Sequence, residues 1–323
     1  MYRTGLSSIR AIANAGRTAL VLGTVAALSS SILPQRKPAV EPQTEKQLRI
    51  ETTLVTLSVS VTDKSGKPVL GLRKDNFRIK ENGVLQEISF FSDSETPASI
   101  LFLFDVSGSM SGTKIIDAGN ALDSFYKTSH PDDEYLGLAF NDEVRSAPVD
   151  GRDFGKIQAW LKSYKPDGNT ALFDGVARAI KRIRRSIYPK RVIVVISDGD
   201  DNNSKIAFND LRELVKESEA IVYAVSISRK TGGKFSKLGE ARLEELAKLS
   251  GGWAVASDSD IQMDETFERL ALEIRHRYSF AYSPRDWNGD GKWRNLKLEL
   301  NAPPSKTKMR IRTRRGYFAT AVP

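Results

Sequence analysis

At 323 residues and 40% hydrophobic content, the chain can hold a central domain with additions and has ample material for a packed core. Its formal charge of +9 sits at its ends: residues 1–49 carry seven Lys and Arg against two acids, residues 275–323 carry twelve against three, and the stretch between is mildly acidic. Basic ends favour anionic partners in general, but with no arginine-rich helix, zinc-finger spacing or aromatic-basic RNA motif no nucleic-acid partner is expected, and zero cysteines exclude disulfides, thiolate metal sites and cysteine nucleophiles.

Arg3, Arg10 and Arg17 precede an apolar run at residues 19–28, and Ser29 to Ser31 follow it. A basic start, a short apolar middle and small residues are the order of an export signal. The run is short for a membrane span. No Cys is present for a lipid anchor and no clean Ala-x-Ala site is visible, so residues 1–33 are expected to be a signal peptide or an uncleaved anchor, with residues 18–33 as a possible membrane tether. The protein is accordingly expected to be secreted, periplasmic or envelope-anchored. Residues 34–50, with Pro34, Pro38 and Pro42 among charges, read as a linker.

Residues 51–95 read as short strands. Val55, Leu57, Val59 and Val61 alternate with Thr56, Ser58, Ser60 and Thr62, a half-buried strand. Phe77, Ile79, Val84, Ile88 and Phe90 continue the pattern around the turn at residues 81–83. So few strands would not be stable alone and need a partner.

From residue 96 to residue 275 apolar strands alternate with amphipathic helices. Strands are expected at 99–104, 135–140, 192–197, 220–226 and 252–256, with an edge strand near Val144. Helices are expected at 113–127, 153–162, 172–187, 208–218, 240–249 and 263–275. In the third helix Leu172, Val176, Ile180, Ile183 and Ile187 form the buried stripe, and Arg178, Lys181, Arg182, Arg184 and Arg185 a solvated face. This alternation predicts an α/β fold, a doubly wound, mostly parallel sheet flanked by helices, with ligands bound beyond the carboxyl ends of the strands.

Residues 276–323 return to strands, at 278–282, around Leu296, Leu298 and Leu300, and around Met309 and Ile311. These are expected to join residues 51–95 in one small β-sandwich-like module. Residues 286–291 copy the first half of a calcium loop, but its twelfth position is Lys297 where a bidentate Glu is required, so a hairpin turn is the better reading.

The chemistry gathers where the first parallel strand stops. Asp105, Ser107 and Ser109 alternate at the end of an unbroken apolar run, so their oxygens can converge on one hard cation. Thr170, after Gly168 and Asn169, and Asp198, at the end of another apolar run, could complete the shell. Asp200 and Asp201 crowd the same loop as solvated or supporting residues. Ser107 and Ser109 also suit the cap of the helix that follows.

This set, Asp-x-Ser-x-Ser followed by a distant Thr and a distant Asp, resembles the metal-ion-dependent adhesion site of the von Willebrand factor type A domain. The turn at residues 61–69 and Arg315-Gly316-Tyr317-Phe318 look like the flanks of a bacterial subset of such proteins. The resemblance implies a Mg²⁺ (or Mn²⁺) ion held by Asp105, Ser107, Ser109, Thr170 and Asp198, with an open position for an Asp or Glu carboxylate of a protein partner. It also implies an adhesion or interaction module rather than an enzyme. Two alternatives stay open. A phosphatase-like hydrolase would need a second Asp at the position held by Ser107, which cannot act as acid or base at neutral pH. A structural envelope protein with a stabilising metal is the other. A serine hydrolase lacks both a Gly-x-Ser-x-Gly elbow and a base near a nucleophile, His130 and His276 being the only histidines.

Overall fold

The alternating apolar residues of the first segment make strand β1 (Val55–Thr62), in which Val55, Leu57, Val59 and Val61 are all buried. Strands β2 (Phe77–Glu81), β3 (Val84–Gln86) and β4 (Ile88–Ser92) follow. The structure is a computed structural model that describes residues 54–148, 151–197, 201–227, 237–257, 259–301 and 309–320. The expected leader and linker lie outside these residues, and those described belong to one compact unit spanning Glu51–Pro323.

The alternating middle of the chain forms β5 (Ser99–Asp105), α1 (Lys114–Thr128), β6 (Glu134–Phe140), β7 (Val144–Ser146), α2 (Phe154–Lys162), α3 (Leu172–Ile183), β8 (Arg191–Ser197), α4 (Phe208–Glu217), β9 (Ile221–Ile227), α5 (Lys237–Ser250), β10 (Ala254–Ser257) and α6 (Asp260–Arg275). Its sheet runs β10-β9-β8-β5-β6-β7, parallel throughout except for β7, which is antiparallel to β6. The inner strands are apolar on both faces because both faces are covered. Phe102, Phe104 and Val194 pack with α1, α2 and α6, while Leu103, Leu138 and Val195 pack with α3, α4 and α5. The register pairs Asp105 with Phe140 and Phe104 with Ile196, so the three central strands end together.

The chain returns in β11 (Tyr278–Tyr282), β12 (Asp290–Leu300), β13 (Arg310–Arg312) and β14 (Gly316–Thr320). β1 pairs with β11 from Val55↔Tyr282 to Val59↔Tyr278, and β2 pairs with β12 from Phe77↔Leu300 to Glu81↔Leu296. Two four-stranded sheets result, β13-β1-β11-β4 and β14-β12-β2-β3. They enclose a separate apolar core built around Val59, Phe77, Ile79, Phe280 and Tyr282. The fold is thus a doubly wound α/β domain joined to a small β-sandwich made by the two flanks.

Three expectations need correction. Helix α3 stops at Ile183, and Ile187 is 73% exposed instead of closing the buried stripe. Beyond Ile183 the backbone is claimed by other groups: Ile187 N–H donates to Glu134 at 2.9 Å and Tyr188 N–H to Ser99 Oγ at 3.0 Å, which leaves no helical pairing to continue. Val84 and Phe90 are exposed; the register of β4 against β11 shifts between Ala281 and Tyr282, so Phe91 and not Phe90 packs on the sandwich core beside Phe280. The stretch 286–291 is no hairpin turn: β11 and β12 belong to opposite sheets, and the chain crosses between them before β12 begins at Asp290. Asp290 is committed to Arg294, with 2.7 Å to Nη2.

Candidate metal centre

Asp105 is the last residue of β5 and is fully buried. A buried carboxylate is stable only with close donors or a cation, and two donors are in place. Oδ1 accepts the Ser107 N–H at 2.9 Å, and Oδ2 accepts the hydroxyl of Ser197, the last residue of the adjacent strand β8, at 2.5 Å. The chain then enters a 3₁₀ turn at Gly108–Met110, which places Ser107 Oγ 3.0 Å from Ser109 Oγ. Ser107 is buried and Ser109 exposed, so the turn opens toward solvent on the Ser109 side. Ser107, the residue that precedes this turn, makes no side-chain cap bond to it, and its hydroxyl faces that of Ser109 instead.

The loop bearing Thr170 is fastened to the same turn. Gly108 N–H donates to Gly168 O at 3.0 Å, and Asp167 N–H to Val106 O at 3.0 Å. Gly168 has φ +79°, and a Cβ there would fall 2.0 Å from Asp142 Oδ2, so only glycine fits. Thr170 itself is 4% exposed. Its N–H donates to Asn202 Oδ1 at 2.8 Å, and its carbonyl accepts the N–H groups of Asn202 and Asn203.

The sequence reading missed the groups that hold these loops. Asp142, just past β6, accepts from Asn169 N–H at 3.2 Å, Asn169 Nδ2 at 2.8 Å and Asn203 Nδ2 at 3.2 Å. Asp174 accepts the N–H groups of Lys205 and Ile206, each at 3.0 Å. Asp201 accepts the Phe173 N–H at 3.2 Å and the Ser204 hydroxyl, a structural role at the start of α3. A signal for Asp142 was present: Asn141-Asp142-Glu143 is a polar cluster directly after an apolar run, where a parallel topology puts it beside Asp105. Asp198 and Asp200 lie outside the described residues. Of the five expected ligands, the structure brings Asp105, Ser107 and Ser109 together and ties the loop of Thr170 to them.

The fold is a doubly wound α/β domain with a buried aspartate and paired serines at the carboxyl ends of its strands. Residues 100–200 match the family model of the von Willebrand factor type A domain, and the chain carries such a domain. Among curated proteins it is similar to human inter-alpha-trypsin inhibitor heavy chain H4, 24% identical over 206 residues, covering 58% of this chain and 21% of that protein. It is also similar to mouse inter-alpha-trypsin inhibitor heavy chain H2, 28% identical over 134 residues, covering 38% of this chain and 14% of that one. The chain thus spans a quarter or less of the length of these relatives. Similar solved structures include a von Willebrand factor type A protein from Catenulispora acidiphila, with TM-score 0.49, 11% identity, and 83% of this chain and 75% of that chain covered. Another is proximal thread matrix protein 1 of the mussel byssus, solved with zinc in its MIDAS motif, with TM-score 0.45, 16% identity and coverage of 60% and 50%.

Proposed function

We propose that the chain is a metal-dependent protein-binding module acting outside the cytoplasm, secreted, periplasmic or held at the envelope through residues 18–33. Asp105, Ser107, Ser109, Thr170 and Asp198 are the residues that would hold one Mg²⁺ or Mn²⁺ ion. The donor set fits such an ion. It is all hard oxygen, with two carboxylates among neutral hydroxyls, and adjacent oxygens in an octahedral shell with bonds of ~2.1 Å lie ~3.0 Å apart. Ser107 Oγ and Ser109 Oγ have that spacing, 3.0 Å, which is the observation that carries the reading. When bound, the ion supplies a hard Lewis-acidic position that attracts an Asp or Glu carboxylate of the partner.

The remaining work belongs to the protein. Ser107 N–H and Ser197 Oγ orient the Asp105 carboxylate, so its charge is aimed before any ion arrives. Asp142 fixes the loop of Thr170 through Asn169 and Asn203, which limits the rearrangement needed to close the shell. The exposed Ser109 side leaves an approach for a partner.

Partner capture from the source cell, with Mg²⁺ and with chelator, tests the reading. Asp105→Ala removes a charge that no hydroxyl replaces and should weaken capture beyond the ~10–100-fold typical of losing a supporting residue. Ser109→Ala leaves a gap that water fills and should cost less than ~10-fold. Capture that survives both chelator and Asp105→Ala would sink the metal contact. Mass spectrometry of the mature N-terminus checks the export proposal, which a cytoplasmic protein with residues 1–33 intact would overturn.

A further inference from the structure

The molecule has a second concave region at the other pole of the central sheet. Arg191 opens β8 and Glu219 lies two residues before β9, so groups beside them are at the amino ends of the strands, away from Asp105. Here a cleft of about 660 Å³ separates the ends of α3 and α4 from β14 of the sandwich. Its size is that of a small-molecule or peptide-terminus site, and a junction between two structural modules is where such sites concentrate. Arg184, Lys216 and Arg314 bring three positive charges to its lining, and Glu217 and Glu219 bring two negative ones. Trp287, Tyr317 and Phe318 supply aromatic surface.

Among these cations Arg314 is the one with a buried, unpaired donor. Its Nη2 donates to Thr56 O at 2.8 Å and its guanidinium sits 5.6 Å over the Tyr317 ring, but its Nε–H is buried with no acceptor among the described residues. Burial pushes this guanidinium below its ordinary pKa, against the pull of Glu219. A buried donor left without an acceptor is costly, and a carboxylate is the acceptor whose two oxygens match an arginine fork. Lys216, by contrast, is paired with Glu213 at 2.8 Å and lies 5.4 Å from the Trp293 ring centre. The aromatic wall is pre-set. Trp287 stacks on Tyr317 at 6.4 Å with 9° between planes, and the Tyr317 hydroxyl is anchored on Glu81 at 2.9 Å. The lining charges leave a single net positive charge, which matches one negative charge better than the two of a phosphate monoester.

We propose that this cleft binds a carboxylate joined to a flat apolar group, with the carboxylate on Arg314 and the apolar part against Trp287 and Phe318. A free aromatic acid and the terminal carboxylate of a peptide ending in an aromatic residue share this chemistry. The site is independent of the metal centre. Calorimetry and ligand-observed NMR on the full chain test it with N-acetyl-tryptophan, N-acetyl-tryptophan amide, and a short peptide ending in Trp as acid and as amide. Each acid should bind at least ~10-fold more tightly than its amide, and Arg314→Gln should remove most of that difference. Arg184→Gln, at an exposed position, should weaken the acids without loss of fold. Asp105→Ala and chelator should change nothing. A peptide acid more than ~10-fold tighter than N-acetyl-tryptophan assigns the site to chain termini, and equal affinities assign it to free acids. Equal binding of acid and amide, displacement by equimolar inorganic phosphate, or no saturation by roughly 10 mM acid would overturn the proposal.

Discussion

At the scale of single residues, buried charge leaves the clearest mark on stability. Lys190 lies between α3 and β8 and donates to Ile274 O at 3.2 Å. Burial pushes its ammonium down from 10.5 to about 8, with Asp133 and Glu95 opposing the change and Arg277 adding to it. In the unfolded chain the group regains its ordinary value, so between about pH 8 and 10.5 the unfolded state holds the extra proton. Stability must therefore rise with pH across that window, by on the order of 3 kcal/mol for a shift of this size. Burial also pushes the phenols of Tyr135, Tyr223 and Tyr282 upward. These ionise first in the unfolded chain, so stability should turn downward above about pH 10. Urea unfolding followed from pH 7.5 upward should show the rise and the turn, and Lys190→Gln should abolish the rise alone. A rise that persists in that variant would mean another group is responsible.

Among the elements, α6 is the one that joins the two modules, because β11 of the sandwich begins three residues after it ends. The junction is polar and buried. Arg277, 2% exposed, donates from Nε to Ser58 Oγ at 2.9 Å, from Nη2 to Ser58 O at 2.9 Å and from Nη1 to Tyr223 Oη at 2.8 Å. Glu273, one turn earlier, accepts from Tyr223 Oη at 3.1 Å, Trp253 Nε1 at 2.9 Å and Arg312 Nη1 at 3.1 Å. One ion pair thus holds α6, β9, β1 and β13 in register. Removing one member strands the other, and such losses cost ~3–5 kcal/mol. Arg277→Ala should fall near ~3 kcal/mol because Arg312 still reaches Glu273. Arg277→Lys should recover part of the loss, since it keeps the charge but not the fork. Chemical denaturation measures both, and a loss below ~1 kcal/mol in Arg277→Ala would show that packing alone joins the modules.

For the whole molecule, the two poles of the central sheet carry different chemistry. The carboxyl pole gathers Asp105, Asp142 and the serines, and the amino pole gathers Arg184, Arg191 and Arg314 with the aromatic wall. An ion bound only to the folded chain stabilises it by mass action, ~2.7 kcal/mol at a hundred times its dissociation constant. For a folded unit of this size that corresponds to a rise in Tm of roughly 5–10 °C on adding Mg²⁺. Differential scanning calorimetry should show the rise in the wild type, its reversal by chelator and its absence in Asp105→Ala. An equal rise in Asp105→Ala would place the ion elsewhere.

Periodicity was enough to read the alternating strands and helices, because side-chain spacing reflects which faces an element must bury, and that is a local property. It placed Asp105 at a strand end, and the spacing of Ser107 and Ser109 pointed to oxygens on one side. The halt of α3 at Ile183 could not be read that way, since it depends on Glu134 and Ser99 taking backbone donors from 53 and 89 residues away. Nor could the division of the flanking strands between two sheets, which sends the loop after β11 across the sandwich. Asp142 was legible as a residue type but not as the clamp on Asn169 and Asn203, and the cleft at Arg314 exists only because β14 passes the end of α4. Local chemistry determines which segments form and which carry oxygens. Register and chain crossing, set by contacts between residues far apart in sequence, decide which of those oxygens and charges meet.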